Sequence, residues 1–261
     1  MRRNILDMAT ASLNSKDTPF KEGEVDIGAY RVQILDPIGS GAFGRVCSGF
    51  HRITRQTIAA KGIDFMDDYM KSAALEEGSL AKTLTHPNLV KIFDINVRKN
   101  TVWLFCEFCE LGNLAQYLNN HADMNLTDKC YMMQDITQAV QYLHMHKPRI
   151  IHRDIKPENS VITKGTQRDS AKLTDFGLAK MYDSSISDGS SAFYLKQNRT
   201  EAGTPLYMAP EFYLKEGNRV NYTATVDIFS LGLLFDVIME YGADHRSTFP
   251  HSGMCLVLLK R

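Results

Sequence analysis

Residues 150–162 read IIHRDIKPENSVI, and KLTDFG follows at residues 172–177. The polar residues between the two apolar runs of the first stretch include His152, Arg153, Asp154, Lys156 and Asn159. Such a density of charge has little use in packing. Phosphoryl transfer, in contrast, requires a carboxylate that orients a hydroxyl, a cation that neutralises phosphate charge and an amide oxygen for a metal, because catalysis there is chiefly positioning and electrostatics.

The second stretch adds a hard oxygen ligand. Asp175 lies at a turn after an apolar strand, and Mg²⁺ usually takes one or two carboxylates together with phosphate oxygens. A lone DFG has no weight as a signal. With Asn159 at a comparable loop position, it predicts a two-ligand metal site.

A glycine-rich loop lies upstream, in IGSGAFGRV at residues 38–46. Gly39, Gly41 and Gly44 stand between two predicted strands, where glycine lets backbone N–H groups approach phosphate oxygens. A plain tight hairpin explains this loop almost as well. A Rossmann turn does not fit, because a strand and not a helix follows.

Lys61 lies on the inner side of a strand that is otherwise apolar. A lysine there loses hydration unless it is paired, and Glu77 on the next helix is the obvious partner. The pair has two interpretations: a structural ion pair, or an ammonium group that binds phosphates while Glu77 holds it in place.

Hydrophobic periodicity predicts a β-rich first half. Five strands are predicted, at residues 31–38, 46–50, 57–65, 89–97 and 101–108. One helix interrupts them. Its predicted inward stripe comprises Met70, Ala73, Ala74, Glu77, Leu80, Ala81 and Leu84.

After Gly112 the pattern becomes helical, with a core-facing helix from Leu126 to Leu143 and a buried helix at 226–241 that is apolar on nearly all sides. The predicted fold class is therefore α+β in two lobes, a small antiparallel β lobe with one helix and a larger, mostly helical lobe. We expect a polar tail at residues 1–25 and one domain at 26–261. Its lobes would divide at about residue 108.

Composition limits the other classes. Lys and Arg total 30, as do Asp and Glu, so no net charge favours nucleic acid or a membrane surface as partner. The first residues contain no apolar run of the kind that a secretory signal needs, and no window approaches ~18 consecutive apolar residues, so we expect a cytoplasmic or nuclear address. Redox or zinc use of the CxxC at Cys106 and Cys109 is a minor alternative. His144 and His146 are expected at an exposed helix end.

The glycine-rich loop, AAK, the helix glutamate, HRDIKPEN, DFG and APE occur in an order that resembles the protein kinase family, over about residues 30–241. The resemblance implies the family's two-lobed fold, with ATP and Mg²⁺ as cofactors and proteins as substrates. The phosphate site that it implies comprises Gly39, Gly41 and Gly44, with Lys61 anchored by Glu77. Asp154 would accept the substrate hydroxyl proton, Lys156 would steady the γ-phosphate, and Asn159 and Asp175 would hold Mg²⁺.

The resemblance also implies an adenine site at the junction of the lobes. Its hinge would be Glu107, Phe108 and Cys109, whose backbone reads adenine, with Cys106 as gatekeeper. The remaining implied nucleotide contacts are Ile38, Val46, Ala59, Val161 and, at the ribose, Asn113.

Two positions resemble the serine/threonine type, Lys156 in DIKPEN and Thr204 in GTPLYMAPE. Dual specificity is the alternative. In the family that this chain resembles, a phosphorylated loop supplies the partner of the arginine at the position of Arg153. Thr200 matches the usual activating phosphosite. Phosphate placed on Thr200 by an upstream kinase or by autophosphorylation would therefore pair with Arg153 and order residues 178–208. A solvated loop with no switch is the alternative.

Beyond Tyr241, GADHRSTFPHSGMCLVLLKR does not resemble the remaining family helices, and we expect an atypical or truncated large lobe. Asp227 does match the buried aspartate that braces the catalytic loop. A rival to the enzyme is a nucleotide-binding, pseudokinase-like scaffold. Retention of the motif lysine, glutamate, asparagine and aspartates favours the enzyme, and GTPLYMAPE disfavours a small-molecule kinase.

Overall fold

The computed structural model describes the chain in five pieces, at residues 20–41, 44–177, 179–182, 204–212 and 223–241. The predicted phosphosite Thr200 lies outside the described residues. The same holds for most of the predicted tail and for the atypical stretch after Tyr241.

Six antiparallel strands form the small lobe, in the order β1-β2-β3-β4-β6-β5. They are β1 (Glu24–Ile27), β2 (Tyr30–Gly41), β3 (Gly44–His51), β4 (Thr57–Asp64), β5 (Ile92–Arg98) and β6 (Thr101–Glu107). β1 was not predicted and begins inside the stretch assigned to the tail. β1 pairs with β2, with Val25 opposite Val32. This pairing defines a strand that the four residues of β1 do not predict by themselves.

The prediction that a strand begins at Leu89 is wrong, because β5 begins at Ile92. The preceding residues pair with the large lobe instead. Val90 N donates to Leu173 O at 3.0 Å, and Leu173 N donates to Asn88 O at 2.8 Å. This segment therefore ties the small lobe to the strand that leads to Asp175.

The small-lobe helix, α1 (Asp68–Thr83), is capped at its N-terminus by Asp67, whose carboxylate accepts from Met70 N at 2.7 Å. Its buried residues are Ala74, Gly78 and Ala81. The predicted inward stripe is wrong at Met70 and Ala73, which are both exposed. The buried line passes through Gly78, which a count of apolar side chains misses.

The large lobe contains helices α2 (Leu114–Asn120), α3 (Leu126–Met145) and α4 (Thr225–Glu240). Four short strands accompany them: β7 (Arg149–Ile151), β8 (Ser160–Thr163), β9 (Ser170–Leu173) and β10 (Lys180–Tyr182). β8 pairs with β9, and β10 with β7, both antiparallel. Short 3₁₀ turns occur at Pro157–Asn159, Pro205–Tyr207 and Pro210–Phe212.

The sequence predicts that α4 is buried on nearly all sides, and this prediction is wrong. One face, which includes Val226, Leu234 and Ile238, is buried. Within the described part of the chain, Ile228 and Met239 on the other face are exposed. Apolar residues around a helix do not by themselves say how many of its faces are covered.

One apolar core runs through both lobes, from Ala59 and Cys106 in the small sheet to Leu231 and Leu234 in α4. The predicted two-lobed α+β fold is confirmed. None of the helices among the described residues is long and apolar enough to cross a membrane.

Candidate active site

An ion-pair cluster joins the two lobes. β4 presents Lys61, whose Nζ lies 2.9 Å from Glu77 Oε1 on α1 and 2.9 Å from Asp175 Oδ1 in the large lobe. The pairing of Lys61 with Glu77 is the one that the sequence predicted. The direct contact of Asp175 with the same ammonium group is not predicted by the sequence patterns.

Burial and charge act in opposite directions on this cluster. Burial lowers the pKa of Lys61, but the charges of Asp175 and Glu77 outweigh it and the net shift is upward. Burial raises the pKa of Asp175, yet the Lys61 ammonium and its hydrogen bond bring the net value below the ordinary one. Lys61 and Asp175 therefore stay charged although both are partly buried. The pKa of Glu77 is raised, by burial and by the nearby charge of Asp175.

The loop after β7 holds Asp154, which is 3% exposed. Its Oδ2 accepts from Asn159 Nδ2 at 2.7 Å and lies 2.9 Å from Lys156 Nζ. Its Oδ1 accepts from the backbone N and the hydroxyl of Thr204, both at 3.1 Å. Lys156 Nζ also donates to the Thr204 hydroxyl at 2.6 Å. The carboxylate is thus held in one orientation with a hydroxyl beside it.

Asp227 on α4 braces this loop, as predicted. It is fully buried and accepts from the backbone N of His152 at 2.9 Å and of Arg153 at 2.8 Å. His144 Nε2 lies 2.7 Å from the same carboxylate, so the prediction of an exposed helix end is wrong for His144. A signal existed in the sequence, because His144 follows Val140 by four residues and so lies on the inward face of α3.

Two contacts join the catalytic loop to the Asp175 turn. His152 Nε2 lies 3.0 Å from Thr174 O, and Thr174 N donates to Asn159 O at 2.9 Å. Arg153 and Asp175 both have positive φ, at 68° and 66°. Left-handed backbone at non-glycine residues is costly and tends to occur at functional sites.

The two predicted metal ligands, Asn159 and Asp175, each have one side-chain oxygen with no hydrogen-bond donor among the described residues. Asn159 uses its Nδ2 on Asp154, which leaves its Oδ1 open. Asp175 receives Lys61 Nζ and Gly177 N on Oδ1, which leaves Oδ2 open. One carboxylate oxygen and one amide oxygen fit Mg²⁺ when phosphates complete its shell. The described ranges hold no cluster of three or more His, Cys, Asp or Glu that could bind a metal without such help.

The glycine-rich loop is the turn between β2 and β3, where Gly41 pairs with Gly44. Gly44 has φ of 120°, and a Cβ there would collide with the carbonyl oxygen of Gly62. At Gly39 the nearest neighbour of an added Cβ is Val46 Cβ at 3.9 Å, which is ordinary contact. The hairpin therefore explains Gly44, but packing does not require Gly39, and the phosphate role of this loop stays a prediction.

Six of the predicted adenine-site residues lie in the core that spans the lobes: Val46, Ala59, Cys106, Phe108, Cys109 and Val161. Ile38 is 52% exposed. Asn113 forms a bridge with Val161 but also caps α2, where its Oδ1 accepts from Gln116 N at 2.9 Å. The amide nitrogen of Asn113 and the second lone pair of its Oδ1 are what the cap leaves for a ribose contact.

The thiols of Cys106 and Cys109, at the hinge, are not activated for reaction. Burial raises the pKa of the Cys106 thiol to about 12. Burial and the charge of Glu107 raise the pKa of Cys109 to about 12 as well. Both thiols stay protonated near neutral pH, which disfavours the redox and zinc alternatives. Glu107 itself forms an ion pair with Lys172 on β9 at 2.8 Å, a further link between the lobes.

Known proteins resemble this chain over most of its length. The protein kinase domain family matches residues 32–244. Serine/threonine-protein kinase atg1 of Dictyostelium discoideum is 30% identical over 228 residues, which cover 83% of this chain and 32% of that protein. Sucrose non-fermenting protein kinase 1 of Fusarium virguliforme is 31% identical over 229 residues, covering 85% of this chain and 30% of that protein.

Misshapen-like kinase 1 of Rattus norvegicus is 30% identical over 210 residues, which cover 77% of this chain and 15% of that protein. The chain thus spans about a third or less of the length of these relatives. The similarity is to one region of longer proteins.

Proposed function

The chain belongs to the protein kinase family, and we propose that it is an active enzyme that transfers the γ-phosphoryl group of ATP to serine or threonine hydroxyls of protein substrates. Most of the support comes from one geometric fact. Lys61, Glu77 and Asp175 meet within 2.9 Å contacts between the lobes, and hydrogen bonds join their cluster to the loop that carries Asp154.

In this proposal Lys61 binds the phosphates of the nucleotide. Glu77 fixes the direction of its side chain, and the ammonium group supplies donors and positive charge to the α- and β-phosphates. Mg²⁺, held by the open oxygens of Asn159 and Asp175, would neutralise charge on the phosphates as the bond to the leaving ADP breaks.

Asp154 acts on the substrate hydroxyl, the group that accepts the phosphoryl group. The substrate hydroxyl oxygen forms a bond to the γ-phosphorus, the bond from that phosphorus to the ADP oxygen breaks, and the hydroxyl proton passes to the Asp154 carboxylate. The Thr204 hydroxyl already donates to this carboxylate at 3.1 Å, a distance at which a general base works. Lys156, 2.9 Å from Asp154, places positive charge beside the transferred group.

The preference for serine and threonine rests on two residues. Lys156 and Thr204 resemble the serine/threonine type, and each contacts Asp154 directly. One of the relatives is also named a serine/threonine-protein kinase. Dual specificity remains the alternative that an assay separates from this proposal.

Control by phosphate on Thr200, from an upstream kinase or from autophosphorylation, stays part of the proposal. So do a cytoplasmic or nuclear address and the lack of a nucleic-acid or membrane partner. Arg153, the expected partner of that phosphate, is 5% exposed, with its backbone N bound to Asp227. A phosphate that reached it would be well shielded from solvent.

A transfer assay with a matched variant tests the proposed function. The chain is incubated with Mg·ATP and casein beside Asp154→Asn, and the labelled amino acid is identified after hydrolysis. We expect phosphoserine and phosphothreonine from the natural chain, and a rate about 100-fold to 10,000-fold lower from the variant.

Each alternative gives a distinct result. Stabilisation of the natural chain by ATP in a thermal melt, without any transfer, supports the pseudokinase-like scaffold. Equal rates from the natural chain and Asp154→Asn would remove Asp154 from the chemistry. Phosphotyrosine alongside phosphoserine and phosphothreonine supports dual specificity.

A further inference from the structure

The face of α1 that lies on the small-lobe sheet is built from small residues. Its buried residues are Ala74, Gly78 and Ala81, spaced by four and three along the helix and so in one line. The distance between packed elements depends on the side chains at the contact. Gly78 directly follows Glu77, the residue that holds Lys61.

Two side chains of the sheet lie directly beneath Gly78. A Cβ added to Gly78 would lie 2.5 Å from Leu104 Cδ2 and 3.0 Å from Ile95 Cδ1. Nonbonded carbon atoms normally approach to about 3.5–4.0 Å. Leu104 is 3% exposed and packs with Ala74 and Val102, so its side chain has little space into which it could withdraw.

Lys61 belongs to the same row of the sheet. Leu104 on β6 pairs with Lys61 on β4 at one side and with Ile95 on β5 at the other. Residues that are directly paired in an antiparallel sheet point to the same face. From this row Lys61 reaches Glu77 at 2.9 Å, while Leu104 and Ile95 meet the helix at Gly78.

We propose that Gly78 is a positioning residue for phosphoryl transfer: because it has no side chain, α1 lies close enough to the sheet for Glu77 to hold Lys61. Helix propensity does not account for this glycine, since alanine is the better helix former and glycine weakens a helix interior. The kinetic consequence rests on the proposed function. The distance between Lys61 and Glu77 does not, because it can be measured whether or not the chain transfers phosphate.

A crystal structure of Gly78→Ala gives the direct test. We expect α1 to move away from the sheet by about 1 Å, which restores normal carbon contacts with Leu104. The Lys61 Nζ to Glu77 Oε1 distance, 2.9 Å in the natural chain, should then exceed the hydrogen-bond limit of about 3.2 Å. A retained ion pair, with Leu104 rotated aside, would overturn the inference.

Compensation separates positioning from simple destabilisation. Leu104→Val removes the δ-methyl groups that the new Cβ would meet, so Gly78→Ala combined with Leu104→Val should recover the short ion pair. Gly78→Ala alone should lower kcat about 10-fold to 100-fold, as a misplacement of about 1 Å can. The double variant should regain most of that loss. A double variant no better than Gly78→Ala would contradict the role of this contact.

Ser79→Ala is the matched control, because Ser79 is the next helix residue and is exposed. It should keep both the distance and the rate, with all rates measured well below the Tm of each variant. If Gly78→Ala does not fold, the double variant is compared with Leu104→Val: equal distances support the inference and a longer one opposes it. If the natural chain transfers no phosphate, the proposed function fails, and the distances alone decide about Gly78.

Discussion

Two aspartates of the large lobe, the buried Asp135 and the half-buried Asp175, differ in one respect. Asp135 on α3 has both oxygens filled, since Arg168 donates to each at 2.8 Å and Ser170 and Ala171 N add bonds at 3.0 Å. Asp175 receives both of its bonds on Oδ1, and its Oδ2 lacks a donor among the described residues. The first carboxylate is saturated by the protein, and the second is not.

The pKa shifts do not distinguish the two. Burial opposes ionisation at both, yet the pKa of Asp135 is lowered by hydrogen bonds from Arg168, Ala171 and Ser170, and that of Asp175 by the Lys61 ammonium. A perturbed pKa marks structural ion pairs as well as functional sites. For a metal ligand in this protein, the useful marker is a side-chain oxygen that has no donor among the described residues.

The largest expected effect comes from the open carboxylate. Asp175→Asn removes the negative charge offered to Mg²⁺, and we expect phosphoryl transfer to fall about 100-fold or more. The side chain keeps its size, so a thermal melt should show the variant folded. If the rate stays within a few-fold of the natural chain, the open oxygen is not the functional one.

Asp135→Asn should do the opposite. Arg168 loses its charged partner, and we expect the free energy of unfolding to fall by about 1–3 kcal/mol, as for a buried polar group left incompletely paired. Urea denaturation measures this loss. The kcat of the folded variant should not change, and a drop in kcat without a loss of stability would erase the distinction between the two aspartates.

Lowering the pH should have a smaller effect, on the difference in stability between the natural chain and Asp135→Asn. The folded-state pKa of Asp135 is below the ordinary 3.8, so its stabilising effect is present above that value and is lost as the pH falls through the lower, folded one. The stability difference between the natural chain and Asp135→Asn should therefore stay constant from about pH 7 to about pH 5 and shrink below about pH 4. Urea midpoints at each pH measure it, and a difference that grows on acidification would show the opposite sign.

The hinge thiols are a third, inert case, where we expect the smallest effect. With a pKa of about 12, Cys106 and Cys109 should react with iodoacetamide at about pH 8 at least ~10-fold more slowly than the exposed Cys130. Mass spectrometry of the digested protein identifies the labelled sites. In concentrated urea the three rates should converge, and fast labelling of Cys109 in the folded chain would revive the redox interpretation.

Much of the site was predictable because its residues belong to local patterns. Lys61 stands in an apolar strand, Glu77 on a helix stripe, and Asp154, Asn159 and Asp175 in charged loops after apolar runs. The structure brings the first two together with Asp175 and links them to Asp154 through the adjoining backbone. Their chemical roles stay proposals.

What the sequence missed depends on contacts between distant segments. β1 and the start of β5 are defined by their pairing partners, and the contact of His144 with Asp227 joins residues 83 positions apart. The cap of α2 can be predicted from the sequence, because Asn113 and Gln116 have the spacing of a capping box. The resemblance to the kinase family instead assigned Asn113 to a ribose contact. Gly78 was invisible to a count of apolar residues, since its effect depends on what lies beneath it.

Calorimetric titration with ATP, in the presence and absence of Mg²⁺, tests the open oxygens most directly. The natural chain should bind ATP at least ~10-fold more tightly with Mg²⁺, since Asn159 and Asp175 then share the cation with the phosphates, and Asp175→Asn should lose this dependence. Equal ATP affinity with and without Mg²⁺ in the natural chain would contradict the assignment of these two residues to the metal.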